Sequence, residues 1–395
     1  MPVTGPVLAQ RLKNARETMG FTQADAAKAV GLSRTALALV ESGKRRLEIT
    51  EVGRLIQLYE LPIHEIFNEN APQDPLPILF RASTTLDQDV NAKRQVMHAR
   101  KLAKEIGFYE GLAGGPAQGV GFKGYEVGTP STKGEAIEQG QELAGKERAR
   151  LGLGNQPVWE LPEILRREGI RVVELKLPKA VSGLTLRLEE GGVLVAVNRD
   201  HAVERRLFSY AHELCHVVAD QAKAATVSGE PAKKEPAETR ADVFAADFLM
   251  PKEGVLGLLK GSLGRTFKGK LSGSHWPEAA QMARYFAVSY QAAVFRLHNL
   301  DLINDEIRDR WLENGHPGFD FKRQLKGSEL KEAGHQDLES QLVEAGLRAL
   351  RAEKISRRKF VELCHEGGLK DEAQIGALVE SAMGGPVLHN VVGPW

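Results

Sequence analysis

The apolar positions of the first 68 residues recur at intervals of three and four, which is the repeat of one face of an α-helix. Leu8, Leu12 and Ala15 form the first such face. Gly20 is suited to end this helix, because glycine adopts the left-handed conformation of a C-terminal cap without a steric penalty. Thr22 follows as an N-cap, since its hydroxyl can accept a hydrogen bond from the first unpaired N–H groups of the next helix.

A tight turn separates the next two predicted helices. The second helix covers residues 23–30, residues 31–33 form the turn, and Ser33 is placed to cap a third helix over residues 34–41. A further helix ends near Tyr59. Two helices joined by a short glycine-containing turn are typical of a helix-turn-helix motif, so the sequence predicts a small helical bundle at the N-terminus.

The remainder of the chain predicts one small sheet among helices. Short β-rich runs bounded by Gly and Pro predict strands over residues 170–177, 184–188 and 193–197. Helical periodicity is found over residues 84–110, 134–150, 161–167, 338–352 and 355–364, with Ser356 as a cap. The fold class is therefore α+β and predominantly helical: an N-terminal helix-turn-helix bundle, a domain with a small sheet and helices, and a helical C-terminal region.

The most specific chemical pattern is H-E-x-x-H at residues 212–216, inside an apolar-periodic run. Positions four apart on a helix differ by about 40° of rotation, so His212 and His216 point the same way and can hold one Zn²⁺. Glu213 lies next to the first ligand, where it can take a proton from a water activated by the metal. The alternative is a buried helix with two hydrogen-bonded histidines, which predicts no third ligand nearby.

A second helix supplies candidates for that third ligand. Apolar positions at intervals of three and four predict a helix from Glu238 that ends at Pro251. Glu238 can complete the zinc site, and Asp242, four residues later on the same face, can accept a hydrogen bond from the far nitrogen of a ligand histidine. Glu238 could instead be a solvated acid of the first turn. Glu235 is a weaker candidate, because it lies between two prolines.

Composition narrows the class of protein. The chain has 395 residues, 42% of them hydrophobic and 27% charged, as expected of a globular protein with two or three domains. No apolar run reaches the length of a membrane span, and the N-terminus lacks the features of a signal peptide. With only two cysteines, Cys215 and Cys364, we expect no disulfide framework and a cytoplasmic protein. Cys215 is expected to be a small buried thiol; zinc coordination or redox control is the alternative.

Breaks in composition suggest the domain boundaries. Residues 71–77 are rich in Pro, and residues 114–124 are rich in Gly. We therefore expect an N-terminal domain over 1–70, a linker and helical connector over 71–133, a catalytic domain over 134–305 and a C-terminal region over 306–395. Residues 221–236 predict a mobile loop that gates the site, and residues 384–395 predict a tail.

Two further features of the site can be expected from the sequence. An exposed edge strand could pair with an extended substrate, and residues 193–197 are the candidate for that edge. Hydrolysis of an amide also requires a donor for the developing oxyanion. Spacing does not rank the candidates for this donor, which are Tyr210, His275, Tyr285 and Tyr290.

A family resemblance rests on these same residues. Residues 205–216, followed by E-x-x-A-D at 238–242 and F-A-A-x-F-L-M-P at 244–251, resemble the ImmA/IrrE family of metallo-endopeptidases over roughly residues 135–305. Residues 286–289 with 296–297 are similar to the closing helical hairpin of that family. The resemblance implies a zincin-like domain with Zn²⁺ on His212, His216 and Glu238, and with Glu213 as the catalytic glutamate. Cys215 departs from the pattern, because the family usually has Gly there.

The N-terminal bundle resembles the XRE/Cro-type repressors, in residues 20–23, 31–33 and 41–45. The resemblance implies that the third helix enters the major groove of DNA and that the domain forms a homodimer. The candidate DNA contacts are Gln23, Ser33, Arg34, Thr35, Lys44 and Arg45, with Arg46 beside them. Residues 1–70 carry nine Lys and Arg against eight Asp and Glu, so a protein-docking module is the alternative.

Together these patterns indicate a cytoplasmic zinc endopeptidase fused to an XRE-type helix-turn-helix domain. What the resemblance implies about the partner is a transcriptional repressor of the XRE type, cut during stress or mobile-element induction. Operator DNA is a further expected partner, bound through residues 1–70. The main alternative is a DNA-binding regulator whose zinc domain is only a sensor, and a third is an antitoxin-like binding protein. An intact Glu213 favours the peptidase, because a structural zinc site needs no base.

Overall fold

The computed structural model describes residues 5–61, 76, 79–80, 83–114, 124–188, 192–229, 235–264, 269–313 and 338–382. These residues form helices around a single four-stranded sheet, so the predicted α+β, predominantly helical fold is confirmed. None of the helices in the described ranges is long and apolar enough to cross a membrane. The proline-rich break at 71–77, except Leu76, and the tail at 384–395 lie outside the described residues.

Over residues 5–61, the N-terminal bundle has four helices. They are α1 (Gly5–Thr18), α2 (Gln23–Val30), α3 (Arg34–Glu41) and α4 (Ile49–Leu58). The Thr22 hydroxyl accepts from the amide of Asp25, and the Ser33 hydroxyl accepts from the amide of Ala36, so both predicted caps are confirmed. Gly31 ends α2 with φ at 74°, a conformation that favours glycine. The predicted helix-turn-helix arrangement is therefore confirmed.

A buried ion pair ties α1 to α3. The guanidinium of Arg16 donates to both carboxylate oxygens of Glu41, at 2.6 and 3.0 Å, and also to the Phe21 carbonyl at 2.8 Å. The Gln23 amide donates to the same carboxylate at 2.8 Å. Because Arg16 and Glu41 are both buried, these bonds fix the angle at which α3 is presented.

The connector forms two helices rather than the single helical segment predicted over 84–110. They are α5 (Thr84–Gln88) and α6 (Val90–Leu112). The chain turns at Asp89, whose side chain accepts from the amides of Asn91 and Ala92 and so caps α6. The domain that contains the sheet follows with α7 (Lys133–Arg150) and α8 (Leu161–Arg167).

The sheet has the strand order β1-β3-β2-β4. Its strands are β1 (Ile170–Leu175), β2 (Gly183–Leu188), β3 (Gly192–Asn198) and β4 (Ala225–Ser228). β1 runs parallel to β3, while β2 pairs antiparallel with both β3 and β4. The expectation that residues 193–197 form an edge was wrong, because β3 lies between two strands and is buried along its whole length.

β4 lies in a segment that the sequence predicted as a loop. Residues 225–228 pair with β2, so the loop prediction for residues 221–236 was wrong there, and residues 230–234 lie outside the described ranges. The polar composition of this segment concealed the strand, since an edge strand can be short and only partly buried. Among the described strands, β1 and β4 form the two edges.

Helices cover both faces of the sheet. Val193, Val195 and Val197 pack towards α9 (Val203–Ala219), while Leu186 and Leu194 pack towards α6. The same domain continues with α10 (Pro236–Leu249), α11 (Lys252–Leu263), α12 (Trp276–Phe286), α13 (Tyr290–Asn299) and α14 (Asp305–Glu313). Ser289 caps α13 through its hydroxyl, which completes a helical hairpin with α12.

The C-terminal region contributes α15 (Leu338–Arg351), α16 (Arg357–Glu366) and α17 (Glu372–Ala382). Ser356 caps α16 by accepting from the amide of Lys359, as predicted, whereas α17 was not predicted. α15 packs along α6, and its Arg348 contacts Glu110 of α6 at 2.9 Å. The connector helix α6 therefore lies between the sheet and the C-terminal helices.

Candidate metal centre

The H-E-x-x-H pattern lies on α9, as predicted. The helix packs against β2, β3 and α10, so the residues of the pattern are buried between the sheet and a second helix. His212 is 6% exposed and His216 is 1% exposed. Each imidazole is therefore held by packing, which fixes the directions of its two nitrogens.

Three side chains of α9 and α10 converge on one position. The Nε2 atoms of His212 and His216 are 3.3 Å apart, and the carboxylate oxygens of Glu238 lie 3.3 Å from the first and 3.2 Å from the second. Bonds of about 2.0–2.1 Å in a tetrahedral arrangement place neighbouring ligand atoms about 3.3–3.4 Å apart. Two imidazoles and one carboxylate at these distances fit a zinc ion with an open fourth position.

Each histidine is oriented by a second carboxylate. The Nδ1 atom of His212 lies 3.1 Å from Asp242 Oδ1, in the contact that the sequence predicted. The Nδ1 atom of His216 lies 2.8 Å from Asp220 Oδ2, a contact that the sequence analysis missed. Asp220 stands four residues after His216 at the end of α9, and that spacing was the available signal. Both contacts leave Nε2 directed at the common position.

The electrostatics of the cluster favour a positive charge at its centre. Burial would lower the pKa of His212, but the carboxylates of Asp242 and Glu238 raise it to about 10. Burial likewise opposes a charge on Glu238, yet hydrogen bonds from both histidines hold its pKa well below the usual range. Groups that stabilise one another's charge at this separation provide a suitable environment for a divalent cation.

Glu213 is fully buried beside this cluster. Thr185 of β2 donates its hydroxyl to Glu213 Oε2 at 2.7 Å, while Oε1 has no partner among the described residues. Gly183 brings the strand close to this side chain, because a Cβ at this position would lie 2.7 Å from Glu213 Oε1. The carboxylate therefore has one oxygen held by the sheet and one available for a further hydrogen bond.

The edge strand adds two hydroxyls to the same face of the sheet. Ser228 is paired with Gly183 and Thr226 with Thr185, and residues opposite each other in an antiparallel ladder point to the same face. The Oγ atoms of Thr226 and Ser228 are buried without a partner among the described residues. The face of the sheet that meets Glu213 is therefore lined by polar groups with unused hydrogen-bonding capacity.

Cys215 is fully buried, and burial raises the pKa of its thiol above the usual range. A thiol in such surroundings is held in its neutral form and is a poor nucleophile or ligand. In the described part of the chain, the residues that converge on the metal position are His212, His216 and Glu238.

Three of the four candidate oxyanion donors are engaged elsewhere. Tyr210 donates to Glu174 of β1 at 3.3 Å, and Tyr285 donates to Gln156 at 3.3 Å. The Nδ1 atom of His275 lies 2.8 Å from the hydroxyl of Ser272, in the turn before α12. The fourth candidate, Tyr290, is the first residue of α13. None of the contacts of Tyr210, Tyr285 and His275 directs a side chain at the metal cluster.

The candidate DNA contacts fall into two groups. Arg34, Thr35 and Lys44 are exposed on or just after α3, as is Arg46. The others serve the bundle itself: Ser33 caps α3, Gln23 donates to Glu41 at 2.8 Å, and Arg45 donates to Glu51 at 2.8 Å. The exposed group is therefore the better match to a nucleic-acid surface.

The class of protein follows from the fold and the site together. A helix-turn-helix bundle precedes a small-sheet domain in which His212 and His216 of H-E-x-x-H converge with Glu238 of α10. This is the organisation of a regulator fused to a peptidase-type domain. Residues 165–298 match the model of the IrrE N-terminal-like domain of peptidase family M78, and residues 7–66 match a helix-turn-helix domain.

The chain thus joins a helix-turn-helix domain to an IrrE N-terminal-like domain, in that order along the sequence. The suspected fusion is confirmed, and the two matched segments fall within the ranges 1–70 and 134–305 expected for these domains. A comparison with curated proteins finds no match to this chain.

Proposed function

We propose that this protein is a zinc-dependent endopeptidase that cleaves a partner protein, and that the partner is a transcriptional repressor. The observation that carries the proposal is the placement of Glu213 immediately beside the cluster of His212, His216 and Glu238. Glu213 is a buried carboxylate, and one of its oxygens has no partner among the described residues. The match to peptidase family M78 supports the same class of reaction.

His212, His216 and Glu238 would hold the zinc ion. When bound there, Zn²⁺ would polarise the carbonyl of a peptide and lower the pKa of water. Three protein ligands leave a position for substrate, whereas structural zinc sites usually close with four protein ligands. This donor set therefore favours a catalytic site over a purely structural one.

Glu213 would act as the general base and then as the general acid. Its Oε1 oxygen would accept a proton from the attacking water, whose oxygen adds to the carbonyl carbon. The same proton would pass to the amide nitrogen as the C–N bond breaks. Thr185 would keep Oε2 in place throughout, because its hydroxyl already donates to that oxygen at 2.7 Å. The position of the base would therefore be set before substrate binds.

The substrate would bind as an extended segment along β4. This strand is an edge of the sheet in the described part of the chain, and its Ser228 stands opposite Gly183 beside Glu213. Backbone groups at a free edge can pair with a peptide and present one amide to the site. This proposal replaces the one for residues 193–197, which lie inside the sheet.

The N-terminal domain would bring the enzyme to its partner or to operator DNA. Arg34 and Thr35 stand exposed at the start of α3, and Lys44 and Arg46 follow its end, which is the placement expected for contacts to bases and phosphates. A homodimer would pair two such surfaces and add their weak affinities. Cleavage would then remove a repressor during stress or mobile-element induction, in the cytoplasm.

A comparison of wild type with Glu213→Gln tests the proposal. Zinc-loaded forms of each are added to a lysate of the source organism, and protein fragments are compared by mass spectrometry. We expect one repressor-like protein to be cut by wild type alone, because glutamine cannot accept the proton. The control is the zinc content of the variant: if it binds zinc stoichiometrically, a loss of cleavage reports the loss of the Glu213 carboxylate and not the loss of the metal.

The alternative function is a DNA-binding regulator whose zinc domain is a sensor. Identical fragment patterns for the two zinc-loaded proteins, with operator DNA bound by both, would favour that alternative. A variant without the Glu238 carboxylate is expected to lose zinc under both functions, so cleavage is the measurement that separates them.

A further inference from the structure

A fully buried arginine lies next to the metal cluster on α10. Arg240 is 0% exposed and stands two residues after Glu238. One of its terminal nitrogens, Nη2, lies 2.8 Å from Asp220 Oδ2, in an ion pair without the geometry of a hydrogen bond. The other, Nη1, donates to Gln139 Oε1 at 3.1 Å and to the Gly128 carbonyl at 3.4 Å. A buried guanidinium is costly unless it is paired, so these contacts define the position of the side chain closely.

Asp220 connects this arginine to a zinc-binding histidine. It is the residue that ends α9, and its Oδ2 atom also lies 2.8 Å from His216 Nδ1. The carboxylate is 5% exposed, so water is largely excluded from both contacts. Any shift of Asp220 would therefore be passed to the imidazole of His216.

We propose that Arg240 is a positioning residue of the metal centre: it holds Asp220 against His216, and so directs His216 Nε2 at the zinc ion. The inference rests on the zinc site of the proposed function. The contact between His212 and Asp242 differs in kind, because the side chain of Asp242 is 45% exposed and can exchange its partner for water. The structure thus assigns the larger part in orienting the histidine ligands to the buried contacts that link Arg240 through Asp220 to His216.

The same arginine ties the metal centre to the start of the catalytic domain. Gln139 belongs to α7, and Gly128 lies in the extended segment before it. α7 approaches α10 closely here, since a Cβ on Gly140 would lie 2.7 Å from the Arg240 carbonyl. The geometry of His216 is therefore fixed by elements that carry no zinc ligand.

The test measures zinc affinity, which does not depend on a known substrate. Zinc dissociation constants are determined by competition with a chromogenic chelator for wild type, Arg240→Met and Asp220→Asn. We expect both variants to bind zinc about 10- to 100-fold more weakly, as is typical when a partner of a ligand histidine is lost. Arg240→Lys, which keeps the charge but loses the forked geometry, is expected to fall between them and wild type.

Arg296→Met is the matched control. Arg296 is also buried, at 2% exposure, and it pairs with Asp247 of α10 at 2.8 Å while also donating to the Met250 carbonyl. Its loss should destabilise the same domain without changing the contacts that link Arg240 through Asp220 to His216. An unchanged zinc affinity in this control, with a loss of thermal stability similar to that of Arg240→Met, would separate positioning from general destabilisation.

A second readout covers the case in which Arg240→Met does not fold. The tautomer of His216 is measured by ¹⁵N NMR in the metal-free wild type and in Arg240→Lys, and we expect a larger share of the Nε2-protonated form in the variant. Equal zinc affinities in wild type and all variants, or equal losses in the Arg240 and Arg296 variants, would overturn the inference alone. A wild-type protein that binds no zinc would instead overturn the metal site of the proposed function.

Discussion

At the scale of single residues, the position of Glu213 depends on the absence of a side chain at Gly183. Any Cβ there would lie 2.7 Å from Glu213 Oε1 and 3.1 Å from its Cγ and from the Ala196 carbonyl. Real Cβ atoms do not approach other heavy atoms so closely, so the glutamate would have to move. The glycine thus allows β2 and the Glu213 carboxylate to lie in contact.

Gly183→Ala is expected to lower peptidase activity about 100-fold, because a displacement of about 1 Å in a reacting group can have that effect. Zinc affinity should be unchanged, since the atoms nearest a Cβ on Gly183 belong to Glu213 and Ala196 and not to His212, His216 or Glu238. The measurement is the rate of cleavage of the protein identified in the lysate comparison, together with chelator competition. Gly257→Ala on α11 is the control, because a Cβ there meets nothing within 4 Å. Full activity in Gly183→Ala would show that Glu213 tolerates the shift.

At the scale of elements, the N-terminal bundle separates residues that hold it together from residues that face outwards. Arg16 and Glu41 join α1 to α3 in the interior, whereas Arg34 and Thr35 begin α3 at the surface. Because α3 has only eight residues, its orientation depends on such contacts more than on its own stability.

Arg16→Met should destabilise the bundle by about 3 kcal/mol, since removing one partner of a buried ion pair leaves the other charge uncompensated. Hydrogen exchange of the α1–α3 amides in the full-length chain measures the change. Arg34→Ala is the matched control: the side chain is exposed, so protection should change by less than about 0.5 kcal/mol. Similar protection in Arg16→Met and Arg34→Ala would mean that the ion pair does not hold α3.

At the scale of the whole molecule, α6 joins the N-terminal bundle to the C-terminal helices. His98 of α6 lies 3.2 Å from Glu60, just after α4, and 3.6 Å from Glu339 of α15. Lys101, which also lies on α6, pairs with Glu366 of α16. The contact with Glu339, followed by the hydrogen bond with Glu60, raises the pKa of His98 to about 9. One protonated imidazole thus connects three parts of the chain.

This junction should weaken as pH rises. A pKa raised from 6.5 to about 9 means that the contribution of His98 is fully present below pH 6.5 and is lost as pH passes about 9. The side chain is 41% exposed, so solvent screening reduces the effect to about 1 kcal/mol. Urea unfolding at pH 6 and pH 9.5 should show a smaller loss of stability in His98→Gln than in wild type.

Glu105 also lowers the free energy of unfolding as pH rises, so its effect must be separated from that of His98. Burial, and then the charge of Glu366, raise its pKa to about 7, so its ionisation also opposes docking at high pH. The difference between wild type and His98→Gln is therefore measured a second time in a Glu105→Gln background. If that difference vanishes in both backgrounds, His98 does not hold the junction.

Features that depend on neighbours along the chain were evident from the amino-acid sequence alone. Thr22, Ser33 and Ser356 cap helices as predicted, because a cap is a contact between residues three apart. His212 and His216 share a helix face for the same reason, and the helix that begins near Glu238 was evident from its period. Family resemblance then named the class of domain.

The contacts between residues distant in sequence depend on how the strands and helices pack together. The order of strands places β3 inside the sheet and β4 at its edge, and no local pattern specifies that pairing. Thr185 and Gly183 reach Glu213 from 28 and 30 positions away, and Arg240 reaches Asp220 across 20. Such contacts follow from the packing of α9 between the sheet and α10. They could not be predicted from the sequence, because contacts between distant elements produce no periodic pattern of residues.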